Sequence, residues 1–201
     1  IPGLVVGCAS RGDDAATMLR TLAALARVDG RVSVFLEPIA LYMTKDLHEA
    51  GDSEWLFPYP APDQAMPLGE GRIYAADARD LVIFTYGNGV PMSLRAARAI
   101  EARHGWKVRV VDLRWLVPLN ETFIAEQARD ARRILVVDEG RHSAGVGEGI
   151  ITAIVEAGLG SVPLQRVVGA DTYTPLAGAA LAVLPGDADI VAAAGNLEPS
   201  H

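Results

Sequence analysis

Short apolar runs alternate, along most of the chain, with stretches whose apolar residues recur at helical spacing. This alternation constrains the fold more than any other feature. Parallel strands joined by helices produce this order, and inner parallel strands are apolar on both faces. The sequence therefore predicts an α/β fold with a mainly parallel, doubly wound sheet of about five strands. The apolar runs that we assign to buried strands occupy residues 4–8, 32–36, 81–86, 108–112, 134–137 and 164–168. Residues 72–74 are expected to form a short edge strand, and Asn120 is expected to cap a helix that extends to about residue 128.

The chain divides into two parts at a stretch without clear periodicity. Residues 1–37 read as one strand–helix–strand unit, in which Ser10 is expected to cap the helix. Residues 55–62 are rich in proline and aromatic side chains, which is typical of an extended linker that lies on protein. We therefore expect a first part at residues 1–65 and a second, complete domain at residues 66–201.

Charge and composition exclude several classes of partner. The 18 basic and 25 acidic side chains give a net charge of −7, which argues against nucleic-acid binding. No apolar run reaches the roughly 18 residues of a membrane span. Cys8 is the one cysteine, so no internal disulfide forms and a reducing, cytoplasmic location is expected. The chain opens on an apolar strand without an initiator Met, which favours a fragment, although a removed tag or Met is the alternative.

A Gly87-Asn88-Gly89 turn between a strand and a helix is the sharpest local motif. With Asp112 at the end of the next strand, it imitates a dinucleotide fingerprint, in which backbone amides approach a pyrophosphate and the acid holds a ribose. Met92 stands where that fingerprint needs its third glycine. A nucleotide-binding domain therefore stays open as an alternative, beside an ordinary tight turn that requires glycine.

A second candidate site follows the strand at 134–137. Glu139 and His142 are candidate groups at the edge of an active site, because ligands of open α/β sheets bind at the carboxyl ends of the strands. The alternative is that these polar side chains only cover the strand end. The glycines of residues 145–149 either present amides to an anion or let a helix start close to its neighbour.

Motifs along nearly the whole chain, in the right order, resemble one enzyme family. The runs Asp80–Val90, Val111–Leu119, Val136–Gly140 and Gly145–Glu148, with Gly169–Thr172, Pro175 and Asp189–Ala194, look like a transketolase-type C-terminal domain. The runs Pro2–Val6, Phe35–Pro38 and Leu41-Tyr42 look like the end of a pyrimidine-binding domain. The chain is therefore identified as similar to the β-type half of thiamine-diphosphate-dependent 2-oxoacid dehydrogenases, the decarboxylating components for pyruvate and branched-chain 2-oxoacids.

This resemblance implies a function for the complete protein and a smaller role for this part. In the family, thiamine diphosphate with Mg²⁺ carries out decarboxylation of a 2-oxoacid, and the acyl group passes to a lipoyl-lysine of a partner acyltransferase. The family's activating glutamate and its diphosphate-binding domain lie outside this sequence, so no catalytic or cofactor-binding residue is assigned here. The expected roles are homodimer contact, packing against the α-type half of the enzyme and docking of the lipoyl acyltransferase. A pure interaction module is the rival interpretation.

The resemblance also implies a monovalent cation site, with K⁺ as the candidate ion. Ala26, Asp29 and Arg31 match the family's positions at the end of the first helix, although Arg31 replaces an expected Asn. Asp29-Gly30 is also an ordinary turn pair.

For the isolated chain we expect a dimer in which residues 66–201 are the stable unit. Residues 1–65 are reduced to a two-stranded remnant with open edges, so we expect them either to dock on a neighbouring copy or to be disordered.

Overall fold

The computed structural model describes residues 2–198 and consists of two sheets with helices packed against them. Along the chain the strands are β1 (Val5–Cys8), β2 (Ser33–Leu36), β3 (Arg72–Tyr74), β4 (Leu81–Thr85), β5 (Val108–Asp112), β6 (Trp115–Val117), β7 (Ile134–Arg141) and β8 (Leu164–Gly169). The α-helices are α1 (Gly12–Val28), α2 (Gly89–His104), α3 (Glu121–Ala128), α4 (Val146–Ile154) and α5 (Asp187–Gly195).

The large sheet has five strands in the order β3-β5-β4-β7-β8. All neighbours are parallel except β3, which pairs antiparallel with β5 at one edge. Alternate residues of the inner strands point to opposite faces, and both faces are buried. One face packs on α3 and α4, and the other on α2 and α5. This arrangement confirms the predicted α/β fold with a mainly parallel, doubly wound sheet.

Local sequence signals explain the ends of several helices. The Asn120 side chain accepts a hydrogen bond from the Phe123 N–H and caps α3, as predicted. Gly105 ends α2 in the left-handed conformation, at φ 70°. The prediction that Ser10 caps α1 is wrong. Arg11 occupies the capping position and makes no side-chain capping hydrogen bond, and the Ser10 hydroxyl donates to Asp112 instead.

The first part of the chain is not a two-stranded remnant, which corrects the expectation that both edges of its sheet stand open. In the order β2-β1-β6, strand β6 returns from the second part of the chain and pairs antiparallel with β1. A small core forms between this sheet and α1, and Met18 and Trp115 are fully buried in it. Residues of the first part therefore fold onto their own chain. Strand β2 remains an edge strand, with Val34 and Leu36 exposed.

A stretch near the end of the chain combines two kinds of structure. Ala177–Gly195 has 19 residues and a mean hydropathy of 1.4, which is long and apolar enough for a membrane span. In the structure it is a short 3-10 helix at Ala177–Ala182, a break at Pro185-Gly186, and α5. Helix α5 begins with two acidic residues in its first turn and buries one face in the core of the large sheet. We therefore interpret the stretch as a surface segment followed by a core helix.

Candidate functional site

The carboxyl ends of β4, β5 and β7 lie side by side and bring the polar motifs of the sequence to one edge of the large sheet. Asp138 is the centre of this edge, and this residue is 1% exposed. Its carboxylate accepts hydrogen bonds from the Tyr86 hydroxyl at 2.6 Å, the Gly140 N–H at 2.7 Å and the Gly147 N–H at 2.8 Å. Burial, followed by the contact with Asp138, raises the pKa of Tyr86, so the phenol stays a donor.

The glycines around Asp138 have a packing function. A Cβ atom at Gly140 or Gly145 would lie 2.7 Å from a carboxylate oxygen of Asp138, and one at Gly147 would lie 3.2 Å away. Because Gly147 is in the first turn of α4, Asp138 supplies the negative charge that this helix end favours. Of the two sequence alternatives for this loop, the structure therefore supports close packing, with a carboxylate of the chain itself as the anion.

Glu139 and His142 contact different elements. Glu139 Oε1 accepts a hydrogen bond of 2.7 Å from the Asn88 side chain, at the turn before α2. His142 is exposed, and its carbonyl accepts a 3.2 Å hydrogen bond from Arg166 of β8. The structure thus connects Glu139 with the Gly87-Asn88-Gly89 turn and places His142 beside the edge strand. Their role at the edge of an active site stays a prediction.

The two glycines of the Gly87-Asn88-Gly89 turn are both explained by close contacts. Gly87 has φ 53°, and a Cβ there would meet Cys8 Sγ at 2.8 Å. A Cβ at Gly89 would lie 2.0 Å from Thr85 Oγ1. The Gly89 and Val90 amides donate to carbonyls within the turn. These amides are therefore already engaged, and the geometry favours the tight turn over a pyrophosphate site.

Asp112 and Arg114 join the large sheet to the small one. Asp112 is fully buried and accepts a 2.5 Å hydrogen bond from the Ser10 hydroxyl. Arg114 donates to both oxygens of Asp14, at 3.1 and 2.8 Å, and Arg72 donates to the same carboxylate at 2.8 Å. This cluster was not predicted from the sequence. Asp14 is an acid in the first turn of α1, where the helix dipole alone accounts for it, and the 100 residues that separate Asp14 from Arg114 leave no local signal.

A cavity of about 630 Å³ lies over the carboxyl ends of β1 and β2. This volume is in the range of small-molecule sites. Aromatic and aliphatic side chains dominate its lining, and Ser10, Arg11 and Glu37 are among its polar members. The Arg11 guanidinium is already paired with Asp13 and stacks on the Phe57 ring at 3.6 Å from its centroid.

The three residues of the expected cation site lie at the exposed end of α1. Asp29 and Arg31 both donate their backbone N–H to the Leu25 carbonyl, at 3.0 and 3.2 Å, and Gly30 between them has φ 65°. This is the hydrogen bonding of an ordinary helix-ending turn. Binding of K⁺ by Ala26, Asp29 and Arg31 stays a prediction.

Comparisons with known proteins place the second part of the chain in a family. The family model described as transketolase, C-terminal domain, matches residues 69–189. A pyruvate dehydrogenase E1 component subunit beta from Staphylococcus aureus is 31% identical over 134 residues, which is 66% of this chain and 41% of the relative. The mitochondrial protein of the same name from Saccharomyces cerevisiae is 31% identical over 182 residues, which is 88% of this chain and 46% of the relative.

A solved structure described as "Split gene transketolase, inactive beta4 tetramer" has the same fold. It matches with a TM-score of 0.73 and 20% identity, over 98% of this chain and 58% of the solved one. The chain thus spans less than half the length of the curated relatives it matches. The family model covers more than half of the chain, together with every strand of the large sheet. The chain therefore belongs to the transketolase C-terminal domain family.

Proposed function

We propose that this chain is part of a thiamine-diphosphate-dependent 2-oxoacid dehydrogenase, within the β-type half of its decarboxylating component. The observation that carries the proposal is the similarity to the yeast pyruvate dehydrogenase E1 β subunit over 88% of the chain. That match is longer than the family model, which begins at residue 69. It therefore includes residues of the first part, for which we propose the boundary at residue 65 and an origin in a pyrimidine-binding domain.

Within that enzyme, we assign the chain to dimer contact, domain packing and docking of partners. Several large apolar side chains support such a role because they are exposed on the isolated chain. In the first part these are Ile39 and Met43, and near the end of the chain they are Tyr173, Leu176 and Leu181. The α-type half of the enzyme and the lipoyl acyltransferase are the proposed partners, together with a second copy of the chain.

The described residues do not fit a site for thiamine diphosphate and Mg²⁺. Asp112 is buried at the sheet joint, Asp138 accepts three hydrogen bonds, and Glu139 is bonded to Asn88. Within residues 2–198, no group of three or more His, Cys, Asp or Glu side chains could hold a metal ion. We therefore propose that the cofactor, which supplies the decarboxylation chemistry, binds elsewhere in the complete enzyme. The role of this chain is then to support the fold of that enzyme.

The substrate and the location follow from the relatives only as proposals. Pyruvate is the first 2-oxoacid to test because it appears in the relatives' names, and the branched-chain 2-oxoacids are the second class. A cytoplasmic location is proposed for this chain on its single cysteine. The fungal relatives carry the word mitochondrial in their names.

The direct functional experiment uses the complete gene product, co-expressed with its α-type partner if that partner is a separate chain. We expect 2-oxoacid-dependent reduction of an artificial electron acceptor that requires added thiamine diphosphate and Mg²⁺. The isolated chain is the matched control and is expected to be inactive. Absence of turnover with pyruvate and with branched-chain 2-oxoacids, in a complete and folded enzyme, would favour the interaction module instead.

A further inference from the structure

Asp112 is a buried carboxylate without a cation of its own. It ends β5 at the point where the chain leaves the large sheet for the small one. Its two hydrogen-bond donors are the Ser10 hydroxyl at 2.5 Å and the Arg114 backbone N–H at 3.1 Å. A fully buried carboxylate with only neutral donors is costly to keep ionised.

The cations nearest to Asp112 are bonded to another acid. Arg114 directs its guanidinium at Asp14, and Arg72, which is the register partner of Asp112 on β3, also donates to Asp14. The other titratable groups that face Asp112 are Cys8 on β1 and Tyr74 on β3. Burial raises the pKa of the Cys8 thiol to about 12 and that of the Tyr74 phenol above its ordinary value, with Asp112 adding to both shifts. Both groups are therefore neutral neighbours that give Asp112 no positive charge.

The segment after Asp112 holds the two sheets together. Arg114, at φ 60°, turns the chain, and its carbonyl accepts a 2.8 Å hydrogen bond from the Cys8 N–H. Trp115 then pairs with Gly7 in the small sheet. Ser10, which bonds to Asp112, also lines the cavity of about 630 Å³. Asp112 therefore lies at the joint between the sheets and is connected through Ser10 to the lining of the cavity.

We propose that Asp112 is a proton-operated latch, in which binding of one proton to its carboxylate tightens the joint between the two sheets. Desolvation by burial raises the pKa of Asp112 to about 6, and the negative charge of Asp14 adds to this rise, although Ser10 and Arg114 act in the opposite direction. When the two sheets separate at this point and water reaches the carboxylate, the pKa of Asp112 returns to about 3.9. The closed joint therefore gains stability as the pH falls through about 6, and the gain is complete below about 3.9.

Amide hydrogen exchange of the complete chain tests the latch. The reporters are the amides of Cys8 and Trp115, which donate to the Arg114 and Leu113 carbonyls in the segment that joins the sheets. Corrected for intrinsic exchange rates, their protection is expected to rise about tenfold between pH 7 and pH 5. Asp112→Asn is expected to remove this rise. Asp130→Asn is the matched control because Asp130 is bonded to Arg109 away from the joint, and it should leave the rise intact.

A second measurement covers the case in which Asp112→Asn does not fold. The carboxyl carbon of Asp112 in the wild-type chain is followed by NMR against pH. A midpoint near 6 supports the latch. A midpoint at or below about 4, or protection of the Cys8 amide that stays level or falls on acidification, would overturn it.

Discussion

Arg114 and Asp14 form a bidentate ion pair between the two sheets, and both side chains are almost completely buried. The pair ties the first turn of α1 to the crossover between β5 and β6. Buried pairs of this kind are poor indicators of net stabilisation, but removal of one partner leaves a buried charge without compensation. The two sheets should therefore depend strongly on each member of the pair.

Replacement of Arg114 by Met is expected to lower the free energy of unfolding by about 3 kcal/mol, because Asp14 then keeps only the partly exposed Arg72. Urea denaturation measures this change. Arg132→Met is the matched control, since Arg132 is 74% exposed in its ion pair with Asp80 and is expected to cost less than about 0.5 kcal/mol. Equal losses of unfolding free energy in the two variants would show that the buried ion pair matters no more to stability than the exposed one.

The contact between Gly89 and Thr85 gives a second prediction. Gly89→Ala places a methyl group 2.0 Å from Thr85 Oγ1 and should cost about 2 kcal/mol through overpacking. Thr85→Ala in the same chain removes that oxygen, which has no hydrogen-bond partner among the described residues, and should restore much of the stability. Gly12→Ala is the control because its Cβ meets nothing within 4 Å. Thermal unfolding of the wild type, Gly89→Ala, Thr85→Ala and the double variant forms the cycle, and the absence of rescue would contradict the steric explanation.

Asp138 should be sensitive to a change as small as Asp to Asn. The carboxylate accepts three hydrogen bonds, whereas the side-chain amide introduced by Asp138→Asn would turn an N–H donor toward groups that are themselves donors. We expect a loss of about 2 kcal/mol in the free energy of unfolding. Asp77→Asn, at an exposed position, is the control and should change little. If Asp138→Asn is as stable as its control, the carboxylate does not organise the start of α4.

The order and type of the elements that build the large sheet could be predicted from the sequence. Continuous apolar runs identified the inner strands, and the capping chemistry of Asn120 marked the start of α3. The short edge strand at Arg72–Tyr74 was also found from its sequence. These features depend on residues that are near each other in the chain, so local patterns record them.

The joint between the sheets could not be predicted in the same way. Strand β6 is three residues long, and only two residues separate it from β5. From the sequence alone, β6 is therefore taken for the turn that follows β5. Its partner β1 lies more than 100 residues earlier. Ser10 was read as a helix cap because its spacing suits one, but burial of Asp112 gave its hydroxyl a different acceptor. Tertiary contacts, which no local pattern encodes, decided both features.

Calorimetric titration with thiamine diphosphate and Mg²⁺ measures directly where the cofactor binds. If this chain is a supporting part of a thiamine-dependent enzyme whose cofactor site lies elsewhere, the isolated chain shows no measurable binding and the complete enzyme shows saturable binding under the same conditions. Saturable micromolar binding to the isolated chain, or no binding to the complete and folded enzyme, would contradict this assignment.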